Sequence, residues 1–253
     1  MLNLQKIILF SFSLLILFVS CTPELEDYQG NLDGPKYFPL TVGNTWIYRV
    51  DSIVFDNQGL VIDSVSQFIK ETITDKYTDE TGDDVFRIER STRGLDGGGW
   101  EVISIWSASK NDKVAYKTEN NLKFLKLTFP VTLNKTWEGN IFFPSDIVVR
   151  IAGEPIKMYQ NWGKYKYSGV DESLTLEGNV YQNVTTVLQA DVENKISKRF
   201  SIEKYAKDFG LVYKEMWILD TQKSESAASW EVKAEEGFIM KKSLVSFVEG
   251  EAK

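Results

Sequence analysis

Phe38-Pro39-Leu40-Thr41-Val42-Gly43-Asn44-Thr45-Trp46-Ile47-Tyr48-Arg49-Val50-Asp51 is a turn that runs into a strand. Trp46, Tyr48 and Val50 alternate with Ile47, Arg49 and Asp51. A period of two puts successive side chains on opposite faces, which is the mark of a half-buried strand. The same alternation returns along the chain. Phe86 and Ile88 alternate with Arg87 and Glu89; Trp100, Val102, Ser104 and Trp106 alternate with Glu101, Ile103 and Ile105. Tyr165 and Tyr167 stand between Lys164, Lys166 and Ser168, and a last long run spans Val184 to Val192.

Turn-forming residues separate these runs: Asp56-Asn57-Gln58-Gly59, Asp79 to Asp83, Asp96-Gly97-Gly98-Gly99, Asn120-Asn121 and Glu177-Gly178-Asn179. Asn, Asp and Gly accept the positive φ that tight hairpins need. No long amphipathic helix is visible, and only Ile202 to Lys207 reads as a short helical turn. The chain therefore predicts an all-β fold, an antiparallel meander of about ten to twelve strands closed as a barrel, half-barrel or sandwich. The opening stretch also has an echo. Phe129-Pro130-Val131-Thr132-Leu133-Asn134-Lys135-Thr136-Trp137 matches Phe38 to Trp46 at the Phe-Pro pair, both threonines and the Trp. A duplicated half-domain would explain it. We read it instead as one turn solution used twice, because the flanks do not visibly repeat over the 20 or more residues, roughly, of a repeat unit.

The N-terminus speaks to location. Lys6 precedes an apolar and hydroxyl run from Ile7 to Val19, which closes on Phe18-Val19-Ser20-Cys21. Such a run is about 13 residues long, short for a bilayer span and suited to a signal-peptide core. Its end resembles a bacterial lipobox, in which the cysteine is acylated and the chain cut before it. Residues 1–20 then form a lipoprotein signal peptide, 21–36 a lipidated tether, and 37–253 one β-rich domain, with 37–128 and 129–253 as its two parts if the echo is a division. Cys21 is the only cysteine.

Composition narrows the chemistry. The chain is 43% hydrophobic and 13% aromatic, enough for a sizeable core. Its formal charge of −7 argues against nucleic acid and against anionic lipid headgroups as partners of the surface. It contains no histidine. With Cys21 acylated, Ser-His-Asp and Cys-His nucleophiles and His/Cys zinc sites are excluded. No cofactor and no metal site is expected.

The stretches Tyr37 to Tyr48, Arg87-Ile88-Glu89-Arg90, Glu119 to Phe124 running into Phe129-Pro130, Trp137 to Asn140, and Glu203 to Glu215 resemble a group of uncharacterised envelope lipoproteins of Bacteroidota. The resemblance implies a single β domain held at the outer membrane, its periplasmic or cell-surface face left open. It transfers no catalytic residues.

Four candidate features remain. Tyr159-Gln160-Asn161-Trp162-Gly163-Lys164-Tyr165-Lys166-Tyr167 sets aromatic faces beside amides, the chemistry that stacks on and hydrogen-bonds sugars or peptides. Tyr159, Trp162, Tyr165 and Tyr167 are therefore the candidate ligand-binding residues; packing of the tyrosines in the core is the simpler alternative. The acids from Asp75 to Asp84 read as a solvated hairpin tip rather than a calcium loop. Glu138, Glu154, Asp171, Glu172 and Glu215 read as surface acids unless two of them meet. Asp51-Ser52-Ile53 and Asp63-Ser64-Val65 resemble the short O-glycosylation acceptor of this phylum, and Asn134 and Asn183 open N-glycosylation triplets. The sequence supports a non-enzymatic binding or structural module, anchored to the membrane by its N-terminal lipid, with an envelope protein or a glycan as partner. A carrier of a lipid or hydrophobic ligand is the second reading and a carboxylate-dependent glycan hydrolase the third.

Overall fold

The structure is a computed structural model that describes residues 33–56, 59–151 and 154–251. The expected signal peptide, Cys21 and the expected tether as far as residue 32 lie outside the described residues, as do the side chains of Ile151 and Glu154. Among the described residues no helix is long and apolar enough to cross a membrane.

The expected alternation builds strands β1 (Thr45–Asp56), β2 (Val61–Thr78), β3 (Asp84–Gly94), β4 (Gly97–Lys110), β5 (Val114–Glu119) and β6 (Leu122–Thr128). A second series follows: β7 (Thr136–Trp137), the small hairpin β8 (Val149–Ile151) and β9 (Glu154–Ile156), then β10 (Tyr165–Leu176), β11 (Asn179–Glu193), β12 (Ser197–Ala206), β13 (Gly210–Asp220) and β14 (Glu236–Val248). Hairpins form where the turn residues stand. Asn120 and Asn121 take φ of 49° and 65°, and Glu177 and Gly178 take 48° and 80°, the two successive positive values of the turn that matches strand twist.

The antiparallel sheet has twelve strands in the order β6-β5-β4-β3-β2-β1-β14-β13-β12-β11-β10-β7. Its two edges meet. Leu125 N on β6 donates to Gly139 O just beyond β7 at 2.9 Å, and Trp137 Nε1 donates to Leu125 O at 2.9 Å. Tyr167 on β10 clamps the same seam, its hydroxyl donating to Thr128 O at 2.9 Å and accepting from Thr128 N at 3.2 Å. Of the three closures left open by the sequence, the chain takes a nearly closed barrel.

The echo extends further than a turn used twice. Gly43 and Asn134 occupy the same place with φ of 96° and 66°. Asn44 N donates to Thr41 O, and Lys135 N donates to Thr132 O. Asn44 O accepts from Ile73 N on β2, and Lys135 O accepts from Tyr167 N on β10. Each copy opens a meander of six paired strands: β1 to β6 in one, and β7 with β10 to β14 in the other. The barrel is the two meanders joined through the β1–β14 pair and closed at the β6–β7 seam.

Two expectations need correction. Ile202 to Ala206 is not a helical turn but the end of β12. Glu203 and Tyr205 face the interior while Ile202 and Lys204 do not, so the stretch keeps period two. On β4 the alternation breaks. Arg90 pairs with Ser104 but Ser91 pairs with Val102, so Ile103 is an inserted residue. A bulge of this kind re-aims side chains, and both Ile103 and Trp106 reach the barrel interior.

One end of the barrel is shut. A 3-10 turn at Gly34–Tyr37 brings Tyr37 and Phe38 into the core with Trp46 and Tyr48. Trp46 Nε1 donates to Phe209 O at 2.6 Å and stacks on Phe247 with ring centroids 5.3 Å apart. At the other end, residues 140–162 pack Met158, Tyr159 and Ile156 against Phe124, Met216 and Phe238. Outside the wall, the single-turn helix α1 (Trp230–Lys233) lays Trp230 over Phe55, Leu219 and Ile239.

Candidate functional site

The barrel is not filled. A cavity of about 600 Å³ lies within it, in the range of about 300–1,000 Å³ typical of small-molecule sites. Its walls are apolar in one part: Met216 and Met240 from β13 and β14, Phe124 from β6, and Ile147, Met158 and Tyr159 from the segment across the open end. Methionine side chains adapt to irregular apolar shapes, and two-thirds of this wall's flexible sulfur comes from adjacent strands.

The other part is charged. Strand pleating alone puts Glu71 inside, because it shares parity with buried Ile69 and Ile73. Lys242 does so between Met240 and Leu244. Lys117 Nζ lies 2.8 Å from Glu71 Oε2, Lys242 Nζ lies 2.6 Å from Glu71 Oε1, and Arg90 Nε lies 3.4 Å from the same oxygen. One carboxylate thus serves three cations. A second network sits beside it. Lys126 Nζ lies 2.9 Å from Glu203 Oε1 and 3.1 Å from Glu119 Oε1, Lys214 Nζ lies 2.9 Å from Glu203 Oε1, and Tyr205 donates to Glu203 Oε2 at 2.6 Å. Together, Arg90, Lys117, Lys126, Lys214 and Lys242 face Glu71, Glu119 and Glu203. The interior carries a positive excess within a chain of formal charge −7.

Electrostatics follows this imbalance. Burial pushes the Glu71 carboxyl up, but Lys117, Lys242 and Arg90 override it and leave it well below the ordinary carboxylate range. Burial likewise raises Glu119, and Lys126, Lys214 and Lys117 bring it down to about 2. Glu203 is drawn below its usual value by Lys126, Lys214 and the Tyr205 hydroxyl, against the opposing effect of burial. Lys126 rises despite burial because two carboxylates face it. Lys242 goes the other way. Burial pushes it down to about 8, Lys117 and Arg90 add to the effect, and Glu71 only partly opposes it. All three carboxylates are therefore held ionised, whereas a glycosidase general acid needs a raised pKa.

Among the described residues that line the cavity, three donors make no hydrogen bond: Trp162 Nε1, Gln189 Nε2 and Arg90 Nε. Gln189 on β11 is 2% exposed, and its Oε1 accepts from Ser201 Oγ at 2.8 Å while its Nε2 has no hydrogen-bond partner. Arg90 donates from Nη1 to Ser104 Oγ at 3.1 Å and lies 3.6 Å over the Trp106 ring, but its Nε makes no hydrogen bond of good geometry. Strand register relates the two residues. Glu71 and Ile73 of β2 face Arg90 and Ile88, and Tyr167 of β10, the counterpart of Ile73, faces Val187 two residues before Gln189. Arg90 and Gln189 stand at corresponding places in the two meanders.

The sequence-predicted aromatic residues turn toward this interior rather than forming an outer face. Tyr159, Trp162 and Tyr165 line the cavity, with Tyr159 and Trp162 edge-to-face at 5.1 Å. Tyr165 donates to Asn140 Oδ1 at 2.7 Å. Tyr167 is fully buried in the core at the seam.

The remaining candidates lie elsewhere. Asp79 Oδ1 accepts from Thr81 N and Asp83 N, which folds the acidic tip on itself. Among the described residues no group of three acidic or sulfur ligands converges as a metal site. Glu138 pairs with Lys164 at 3.6 Å, Glu172 accepts from Thr186, and Glu215 accepts from Tyr213 and Trp217. Asp171 accepts a long 3.5 Å bond from Tyr37. Ser52 lines the cavity and Ser64 is exposed on β2. Sequence reading missed Glu71, Glu119, Glu203 and their lysines. The signal was present: these charged residues share strand parity with buried apolar neighbours.

No protein-family model matches the chain, and no curated protein matches it. Among solved structures, a candidate lipoprotein from Parabacteroides distasonis aligns with 84% of this chain and 98% of its own, at 10% identity and a TM-score of 0.44. A candidate exported protein with a YmcC-like fold from Bacteroides fragilis aligns with 84% of this chain and 98% of its own, at 8% identity and a TM-score of 0.45.

Proposed function

We propose that the chain is a non-enzymatic, membrane-tethered binding protein whose barrel carries a hydrophobic or amphiphilic small molecule. The observation behind this is the cavity of about 600 Å³, walled by apolar and charged side chains in separate parts. A well-packed interior leaves few voids larger than a water molecule, so a space of this size in a small barrel is built rather than incidental. The inward turn of Tyr159, Trp162 and Tyr165 favours this over a binding face on the outer surface.

Cys21 supplies the tether in this reading. Acyl chains contribute about 0.8 kcal/mol per buried CH₂, so two or three of them hold the protein at the outer membrane. Confinement to a surface raises the effective concentration of the barrel toward anything else held there.

Native mass spectrometry of the full chain, gently extracted from its own envelope, tests the proposal. A retained small molecule is expected. A bare protein that also takes up none of a panel of added amphiphiles would overturn it, and a retained protein or glycan partner would replace it with a contact role.

A further inference from the structure

We infer that the ligand carries an anionic head, a carboxylate or phosphate, bound at Arg90, Lys242 and Gln189, with its apolar chain directed to the methionine wall. This rests on the carrier reading and specifies the chemistry of what is carried.

Three independent observations point the same way. The first is charge. Among the described residues Glu71 is the one carboxylate in ion-pair contact with Arg90, Lys117 and Lys242, and an uncompensated buried cation is costly. An arriving anion supplies the missing charge. The second is hydrogen bonding. Gln189 Nε2 is a buried donor on the cavity wall without a partner, and Arg90 Nε, which lines the same cavity from β3, six strands away round the barrel, makes no good hydrogen bond. A buried donor left unmade is costly, and donors, not acceptors, are what an oxyanion requires. The third is polarity along the barrel. Glu71 lies two residues from Ile73, which bonds to Asn44 at the shut end. Met158 and Tyr159 stand at the other end. The cationic part is therefore the inner wall and the apolar part the outer one, so a head-first amphiphile meets matching chemistry along its length.

A neutral ligand with an acceptor oxygen would satisfy the donors but leave the positive excess uncompensated. A cationic one would add to the repulsion. The acidic exterior of the chain opposes the approach of an anion, so any preference for one belongs to the interior.

The test uses the full chain in lipid nanodiscs, with empty nanodiscs as the blank. Calorimetric titration compares decanoate, decyl phosphate, decanol and decyltrimethylammonium, which share one chain length. Decanoate or decyl phosphate is expected to bind roughly tenfold or more tighter than decanol, the value of a charge-assisted hydrogen bond. Lys242→Met and Gln189→Leu should each reduce that preference while leaving decanol binding in place. Gln189→Leu gives up the Ser201 hydrogen bond but leaves every Glu71 ion pair in place, so it tests the site independently of any destabilisation by Lys242→Met. Which of the two anions binds more tightly identifies the head. Equal binding of decanol and decanoate, or tighter binding of the cation, would overturn the anionic head and leave the carrier reading standing. Binding of none of the four would overturn the carrier reading and this inference together.

Discussion

Lys242 Nζ lies 2.6 Å from Glu71 Oε1, and the two residues belong to different meanders of the barrel. Glu71 is on β2 and Lys242 is on β14, with β1 between them. Lys126 on β6 likewise reaches Glu203 on β12 across the interior. The two halves are thus held together by buried charge as well as by the β1–β14 ladder. Breaking such a pair from one side leaves a charge with no water to solvate it.

Glu71→Gln should be strongly destabilising. It leaves Lys117, Lys242 and Arg90 facing a neutral amide. The expected loss is about 3–5 kcal/mol, read from urea unfolding at neutral pH. The double variant Glu71→Gln with Lys242→Met should recover part of it. A loss no greater than that of a surface acid would show that solvent reaches the cluster.

Acid should unfold the barrel early. Glu71, Glu119 and Glu203 bind protons more weakly in the folded chain than in the unfolded one. Below the ordinary carboxylate value the unfolded chain therefore takes up more protons, and stability falls with falling pH. Their contribution is complete above about pH 5 and drains away toward about pH 2, the folded value of Glu119. Urea midpoints measured from pH 7 down to pH 3 check this.

Lys242 should reveal itself at alkaline pH. Held near 8, it loses its proton in the folded chain before the unfolded one does. Stability from this group therefore rises between about pH 8 and pH 10.4. Between pH 7 and pH 9 the wild type should gain about 1 kcal/mol relative to Lys242→Met. Taking the difference between the two chains cancels the buried tyrosines, which titrate in both.

Two glycines should answer very differently to alanine. A Cβ at Gly237 would stand 1.8 Å from Ile218 O, a backbone atom within the sheet, and its φ is 108°. Gly98 has φ of 100° but nothing within 4 Å. Gly98→Ala should cost only the backbone strain, about 1–3 kcal/mol. Gly237→Ala should cost more, because the β13–β14 pair must part to admit it. Thermal unfolding of both variants separates the two terms.

Cys21→Ser should abolish acylation. Growth with an alkyne-tagged fatty acid should label the wild-type chain and not the variant. Equal labelling would place the lipid elsewhere or remove the tether from the proposal.

The strands and hairpins were legible because each rests on local chemistry. Trp46, Tyr48 and Val50 alternate whatever their partners are, and Asn120-Asn121 accepts the positive φ of a tight turn more readily than most residue pairs. The same reasoning misreads β5. There Ala115, Lys117 and Glu119 face inward while Val114 and Tyr116 face outward. A polar residue at alternate positions looks like solvent exposure until its counter-charges, brought from β2 and β6, are known. Ile103 escapes for another reason: a bulge is a mismatch between two strands and cannot be seen in one.

By itself the sequence determined an all-β meander, its turns, and the absence of any histidine-based chemistry. These depend on residue type and on neighbours a few positions away. Only the tertiary structure decided that the meander closes as a barrel of two six-stranded halves, that its interior is hollow, and that cations outnumber carboxylates there. Those depend on Glu71 meeting Lys242 and Lys126 meeting Glu203 across long stretches of chain. Period two says which residues share a face, and only closure says whether that face looks into water or into the protein.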